Sequence, residues 1–149
     1  MPEKKTMERA RKDKREGKSG STQAGEFVRE EMHHVREGKH GARSSKQAIA
    51  IGLSKARRAG VKTGTPKNAS AETRKKAARD TAKSERGGGK VSRTRSRATS
   101  GALKREGHSA ASRTSLARQA HSAARKRSSS ERSNAAKKAA RTRARRSSR

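Results

Sequence analysis

The sequence predicts a mostly disordered chain with α-helical segments, a helical hairpin at about 22–59, and no β-sheet. Of its 149 residues only 26% are hydrophobic and 1% aromatic, with a single Phe and no Trp or Tyr. Such a chain buries too little apolar surface to offset the conformational entropy that ordering removes. Its 43 Lys and Arg against 13 Asp and Glu give a formal net charge of +30, and this repulsion opposes compaction.

The predicted hairpin lies in segment 21–60, which holds nearly all of the large apolar side chains. Ser21 or Thr22 is a suitable N-cap for its first helix, which is expected to run to about Glu37. The apolar side chains of this helix recur at helical spacing and define one face, formed by Phe27, Val28, Met32 and Val35.

A second helix is predicted after a loop that contains Gly38 and Gly41. Ser44 and Gln47 have the spacing of a capping box at its start, and Gly60 suits its C-terminal end. Its apolar stripe consists of Ala48, Ile49, Gly52, Leu53 and Ala56. Because two helices alone bury little area, we expect a marginally stable hairpin that docks a partner or dimerises.

Three further segments flank the hairpin, and the hairpin alone is expected to hold tertiary structure. Residues 1–20 form a charged arm with a marginal helix, and 61–89 form a linker with a short polar helix. Residues 90–149 are a low-complexity tail with 19 Lys and Arg against two acidic residues, helical at most near 110–127 and 131–146. This tail resembles those of linker histones, which implies disorder when free and partial helix once phosphates neutralise the charge.

The charge predicts a polyanionic partner, most simply the phosphates of double-stranded DNA. Phosphate contacts need cationic donors rather than a fixed fold, and binding releases counterions condensed on the nucleic acid. We expect the tail, the second hairpin helix and the short polar helix of the linker to supply these donors without sequence preference. The candidate nucleic-acid-binding residues are Lys46, Lys55, Arg57, Arg58, Arg74, Lys75, Lys76, Lys90, Arg93, Arg95, Arg97, Lys104, Arg105, Arg113, Arg118, Arg125, Lys126, Arg127, Lys137, Lys138, Arg141, Arg143, Arg145 and Arg146.

Two alternatives remain open, an RNA- or ribosome-associated basic protein and a protein-interaction module that acts through the hairpin. Aromatic side chains for base stacking are missing, since Phe27 stands alone, and this disfavours the common RNA modules. Sequence-specific recognition is also disfavoured, because a helix-turn-helix needs a tight turn and a third helix.

Other chemistry finds little support in the sequence. There is no Cys, no apolar run approaches a membrane span, and the N-terminus lacks a signal-peptide h-region. His33, His34 and His40 lie close together in the sequence, but no carboxylate spacing completes a metal site, so they are interpreted as surface side chains. The many serines are interpreted as hydrophilic spacers. We expect no enzymatic activity and no cofactor.

One string in the hairpin is distinctive: Arg43-Ser-Ser-Lys-Gln-Ala-Ile-Ala-Ile-Gly-Leu-Ser-Lys-Ala-Arg-Arg-Ala-Gly60. With it, the segments 21–32 and 98–112 resemble a family of small basic bacterial proteins of unknown function, some of them labelled putative DNA-binding proteins. The resemblance implies a bacterial, cytoplasmic setting and carries over no functional residues. Together with the charge, it leads us to expect a histone-like, nucleoid-associated protein.

Overall fold

The computed structural model describes residues 2–66, 69–87 and 92–147, which form seven α-helices, one 3₁₀ turn and no strand. The elements are α1 Lys4–Arg15, α2 Gly20–Arg36, α3 Ser45–Arg58, α4 Ala71–Glu85, α5 Arg93–Lys104, the 3₁₀ turn Ser109–Ala111, α6 Arg113–Arg125 and α7 Ser129–Ser147. Helix accounts for 75% of the described residues, and α1 to α4, α6 and the 3₁₀ turn pack on one another. The prediction of a mostly disordered chain is therefore wrong.

Serine side chains begin six of these helices. An Oγ atom accepts the backbone N–H three residues further on at Ser19, Ser44, Ser70, Ser92, Ser112 and Ser128. Each such cap typically contributes about 1 kcal/mol to its helix. The cap predicted at Ser44 is confirmed. The interpretation of the serines as spacers is wrong for Ser19, Ser92, Ser112 and Ser128, and the N-cap of α2 is Ser19 rather than Ser21 or Thr22.

One apolar cluster joins α1 to the hairpin that α2 and α3 form. Its centre is Phe27, which is 0% exposed, and its buried neighbours are alanines, one from each helix: Ala10, Ala24 and Ala56. Met7, Leu53, Ala59 and Val61 pack around them. The N-terminal segment, predicted to be a solvated arm, thus forms part of the core.

A second apolar cluster joins the hairpin to the C-terminal region. Met32 and Val35 of α2 pack with Ala48 of α3 and with Ala110 and Ala111 of the 3₁₀ turn, all of them buried. Partly buried side chains complete this cluster, namely Val28, Ile49 and Leu116. The segment around the 3₁₀ turn was predicted to be tail, yet it lies in the core.

Four hydrogen bonds fix this segment to the loop and ends of the hairpin. They run from Gly41 N–H to the Leu103 carbonyl (2.9 Å), Ala42 N–H to the Gly107 carbonyl (3.0 Å), Ser45 Oγ to the Ala110 carbonyl (2.6 Å) and Arg36 Nε to the Ala111 carbonyl (2.9 Å). Because buried backbone groups need partners, these bonds satisfy both the loop and the turn. The expectation that only the hairpin holds tertiary structure is wrong for this reason.

Small residues explain how so few large side chains form a core. At Gly52 of α3, an added Cβ would lie 2.7 Å from the Cα of Val28 on α2, so the two backbones approach closely only because this residue is Gly. Close approach of the backbones lets alanine methyl groups fill the space between helices. The prediction from composition underestimated the core because the number of large side chains does not show how closely the helices pack.

The remaining helices differ in how they attach. α4 packs on α3, where Ser54 and Arg58 both donate to the carboxylate of Asp80. Every side chain of α7 that the structure describes is exposed. No helix among the described residues is long and apolar enough to cross a membrane.

Candidate nucleic-acid interface

The exposed cations are distributed unequally along the described chain. Residues 92–147 contain 17 Lys and Arg but only two acidic residues, Glu106 and Glu131. Each of these cations whose side chain is described is exposed. This region therefore presents a nearly uncompensated positive charge to solvent.

In the N-terminal region most acidic side chains are paired with cations. Among the described residues up to Gly87, nine of the eleven acidic side chains have a Lys or Arg nitrogen within 4.0 Å. One group joins Lys18 to Asp13 and Glu16, each at 2.7 Å, and these two hydrogen bonds raise the pKa of Lys18. These 11 acidic residues offset less than half of the 24 Lys and Arg in residues 1–87, so this region keeps a smaller excess of positive charge per acidic group than residues 92–147.

Helix α7 carries the densest basic face. Lys137, Lys138, Arg141 and Arg145 fall within an arc of about 100°, given the 100° that separates successive residues of an α-helix. They extend over about 12 Å of helix axis, at a rise of about 1.5 Å per residue. At the N-terminus, Ser128 N–H donates to a Glu131 carboxylate oxygen at 3.0 Å, so the one acidic residue of this helix serves its cap.

Helices α5 and α6 each present a smaller basic face. Arg93, Arg97 and Lys104 lie within about 40° of one another around α5, and all three are exposed. In α6, Leu116 packs against the core, while Arg118 and Arg125 lie on roughly the opposite side. These two arginines line an open groove together with His121, Ser122 and Lys126.

Of the predicted binding residues in the hairpin, Lys55 is the least available. Its side chain is 24% exposed, and its Nζ lies 2.6 Å from Glu31 Oε2 and 3.7 Å from Glu30 Oε1. Because both carboxylates are buried, Lys55 compensates their charge inside the fold. We therefore leave Lys55 out of the interface.

The other predicted binding residues of the N-terminal region differ in whether an acidic side chain lies beside them. Arg58 lies 2.8 Å from Asp80, and Lys76 lies 2.6 Å from Glu72 one helical turn away. Of the remaining predicted residues in this region, Lys46, Arg74 and Lys75 are exposed, whereas Arg57 is half-buried. Lys90 lies outside the described residues, as does the side chain of Arg146.

The structure brings together two histidines that the sequence analysis interpreted as surface side chains. Ligand atoms of His34, His40 and Glu31 all lie within 4.8 Å of one another, and the two imidazole rings meet edge to face with their centroids 6.0 Å apart. His34 Nε2 lies 2.8 Å from Glu3 Oε1. This hydrogen bond, followed by one from Lys39, holds the pKa of the Glu3 carboxyl below its usual range. His33 is exposed and belongs to no such cluster.

The sequence contains a signal for part of this cluster, but it is visible only when the acidic residues near each histidine are considered as well. Glu31 precedes His34 by three residues, and side chains at this spacing lie on the same face of a helix. A search for carboxylates one turn before each histidine would have found the pair. His40 joins them only because the turn after α2 brings the loop back, which no spacing rule predicts.

Comparison with known proteins identifies no relative. No protein-family model matches the chain, and neither does a curated protein or a solved structure.

Proposed function

We propose that this protein binds the phosphate backbone of duplex DNA without sequence preference, as a histone-like, nucleoid-associated protein. The observation that carries the proposal is the exposed and nearly acid-free charge of residues 92–147. Cations that face solvent and lie far from acidic groups release condensed counterions when they meet phosphates, and this release favours binding.

The fold supports a particular way of presenting these cations. The segment from Leu103 to Leu116 is docked on the hairpin, and α6 packs on α3. The cations of α5 and α6 therefore extend from a packed body rather than from a free tail. Binding then orders fewer residues than a disordered tail would need to order, which lowers its entropic cost.

The aromatic content favours a duplex over single strands. Single-strand binders stack bases on exposed aromatic rings. Phe27 is the sole Phe, Tyr or Trp of the sequence, and it is fully buried. Recognition through stacking is therefore disfavoured, and recognition of regularly spaced phosphates is favoured.

The structure gives less support to a module that binds proteins through the hairpin. The apolar stripe expected to dock a partner is covered by α1 on one side and by the 3₁₀ turn on the other. Self-association through the same stripe would require these contacts to open.

The experiment is a salt titration of binding to a short DNA duplex, using variants with equal net charge. The test variant changes Lys137, Lys138 and Arg141 of α7 to Gln, a residue of similar helix propensity. The control changes Lys12, Lys18 and Arg43 to Gln, three cations that the structure pairs with acidic groups. Substitution is preferable to deletion of residues 90–149, because deletion also removes Ala110 and Ala111 from the core.

The two variants should differ clearly in the salt dependence of their DNA affinity. If all three α7 cations contact phosphates, the slope of log K against log salt falls in magnitude by about 2.7 for the test variant. The control should change the slope much less. A wild-type affinity that does not depend on salt, or equal slopes for the two variants, contradicts the proposal. Preference for structured RNA over duplex DNA in direct competition supports the RNA alternative instead.

A further inference from the structure

We propose that Glu31, His34 and His40 bind a divalent first-row transition-metal ion of the zinc class. The site lies between the end of α2 and the loop that follows it, on residues that take no part in the proposed DNA interface. Three features of the site favour a metal ion: a buried carboxylate oxygen, the orientation of the His40 ring, and the spacing of the ligand atoms.

The first feature is the carboxylate of Glu31, whose side chain is 1% exposed. Its Oε2 accepts a hydrogen bond from Lys55 Nζ at 2.6 Å, which fixes the group in place. Its Oε1 is buried and has no hydrogen-bond partner. Because a buried charged oxygen without a partner destabilises the fold, a cation bound at this atom would stabilise it.

The second feature is the ring of His40. Its Nδ1 lies 3.0 Å from the Gly41 carbonyl, which can only accept, so Nδ1 carries the hydrogen of this bond. In the neutral ring, Nε2 is then an acceptor, and it faces Glu31 Oε1 at 3.2 Å. Two acceptors at this distance require a cation between them, either a proton or a metal ion. A backbone carbonyl that holds the other ring nitrogen is the usual arrangement around a histidine metal ligand.

The third feature is spacing. Two ligands bound tetrahedrally to Zn²⁺ at about 2.0–2.1 Å lie about 3.3 Å apart, and Glu31 Oε1 and His40 Nε2 already have this separation. A ring nitrogen of His34 lies within 4.8 Å of the other two ligand atoms and needs to move by at most about 1.5 Å. The Glu3 carboxylate, hydrogen-bonded to His34, is placed to orient that ring.

The donor set indicates the class of ion. Two imidazoles and one carboxylate suit Zn²⁺ and neighbouring transition ions better than Ca²⁺ or Mg²⁺, which prefer oxygen ligands. Three protein ligands leave a fourth position for water or another group. A bound ion would tie the end of α2 to its loop and, through Glu3, to the segment before α1.

The test is metal titration of the chelator-treated, full-length protein. Zn²⁺ binding is followed by calorimetry, and the ligand field of Co²⁺ by visible absorption. We expect one ion per chain and a higher unfolding temperature in its presence, since ligands that bind only the folded state stabilise it. His40→Asn should weaken binding by more than about 100-fold, because loss of even an outer-shell partner costs 10- to 100-fold. His33→Asn, at an exposed neighbour on the same helix, is the matched control and should bind like wild type.

Several results would overturn the proposal. One is the absence of Zn²⁺ binding by a folded wild-type chain, and another is equal affinity of the His33 and His40 variants. A third comes from nitrogen NMR of the His40 ring: if Nε2 stays protonated when Zn²⁺ is added, a proton occupies the position. Glu31→Gln should also weaken Zn²⁺ binding. If this variant fails to fold because Lys55 has lost its partner, His40→Asn, which alters a loop residue, remains the test.

Discussion

The N-terminal region, residues 2–87, and the C-terminal region, residues 92–147, use the same residue types in opposite ways. In the first, eight Lys and Arg side chains that the structure describes lie within 4.0 Å of acidic groups, and alanines fill the space around Phe27. In the second, cations face solvent and the alanines of α7 are exposed. Position relative to a partner, rather than composition, thus decides whether a Lys, an Arg or an Ala stabilises the fold or remains available for binding.

The boundary between these uses does not coincide with the boundary between the regions. Ala110 and Ala111 come from the basic region but lie in the core, whereas Lys46 comes from the hairpin and is exposed. The protein is better described as a packed body that includes the 3₁₀ turn, with basic helices attached to it. This description predicts that fold stability and DNA affinity respond to different substitutions.

The substitution Phe27→Ala is expected to give the largest difference between the effect on fold stability and the effect on DNA affinity. Truncation of a buried Phe typically costs about 3–5 kcal/mol, and here the surrounding alanines cannot fill the cavity. The free energy of unfolding, measured in urea by circular dichroism, should fall by about that amount. Affinity for duplex DNA at fixed salt should fall much less, because the exposed cations remain.

Leu103→Ala is the control for this prediction, because it truncates a half-buried side chain of α5. It should cost clearly less stability than Phe27→Ala. Equal losses of stability would show that the Phe27 cluster is no more important than the attachment of α5. A loss of DNA affinity as large as the loss of stability would show that the two regions do not act separately.

These expectations also indicate how far the sequence alone predicts this molecule. Helical periodicity placed α2 and α3 closely, and Ala-rich composition placed α7 near 131–146, because both signals are local. The burial of Ala110 and Ala111 had no local signal, since alanine is equally common in exposed helices. Pairing of charges was missed for a similar reason: net charge counts the groups, whereas stability depends on which groups are neighbours.

The sequence alone predicted part of the candidate nucleic-acid interface and none of the candidate metal site. Counting cations found the acid-poor region, since that property is a sum along the chain. It also included Lys55, whose partners Glu30 and Glu31 come from another helix. The metal cluster was missed because His40 reaches Glu31 through a turn of the chain and not through helical spacing.

An intermediate effect is expected from a matched pair of glycines inside helices. At Gly52 an added methyl group meets the backbone of Val28, so Gly52→Ala should cost about 1–3 kcal/mol as α2 and α3 separate. At Gly25 no atom lies within 4 Å of the added group. Gly25→Ala should therefore stabilise the protein by about 0.5–1 kcal/mol through helix propensity alone.

Thermal unfolding of both variants checks this prediction. If both substitutions stabilise the protein equally, close approach of α2 and α3 is not what holds the N-terminal region together. In that case the core does not depend on close contact between the backbones of α2 and α3.

The smallest effect is expected from Ser128→Ala, which removes the cap of α7. The substitution should cost this helix about 1 kcal/mol. Because the described side chains of α7 are exposed, the loss should reduce helix content without moving the midpoint of cooperative unfolding. Ser44→Ala, at the cap of the packed helix α3, should lower that midpoint instead. A shift of the midpoint by Ser128→Ala as large as that by Ser44→Ala would mean that α7 folds with the core, and the cations it carries would then depend on the core for their arrangement.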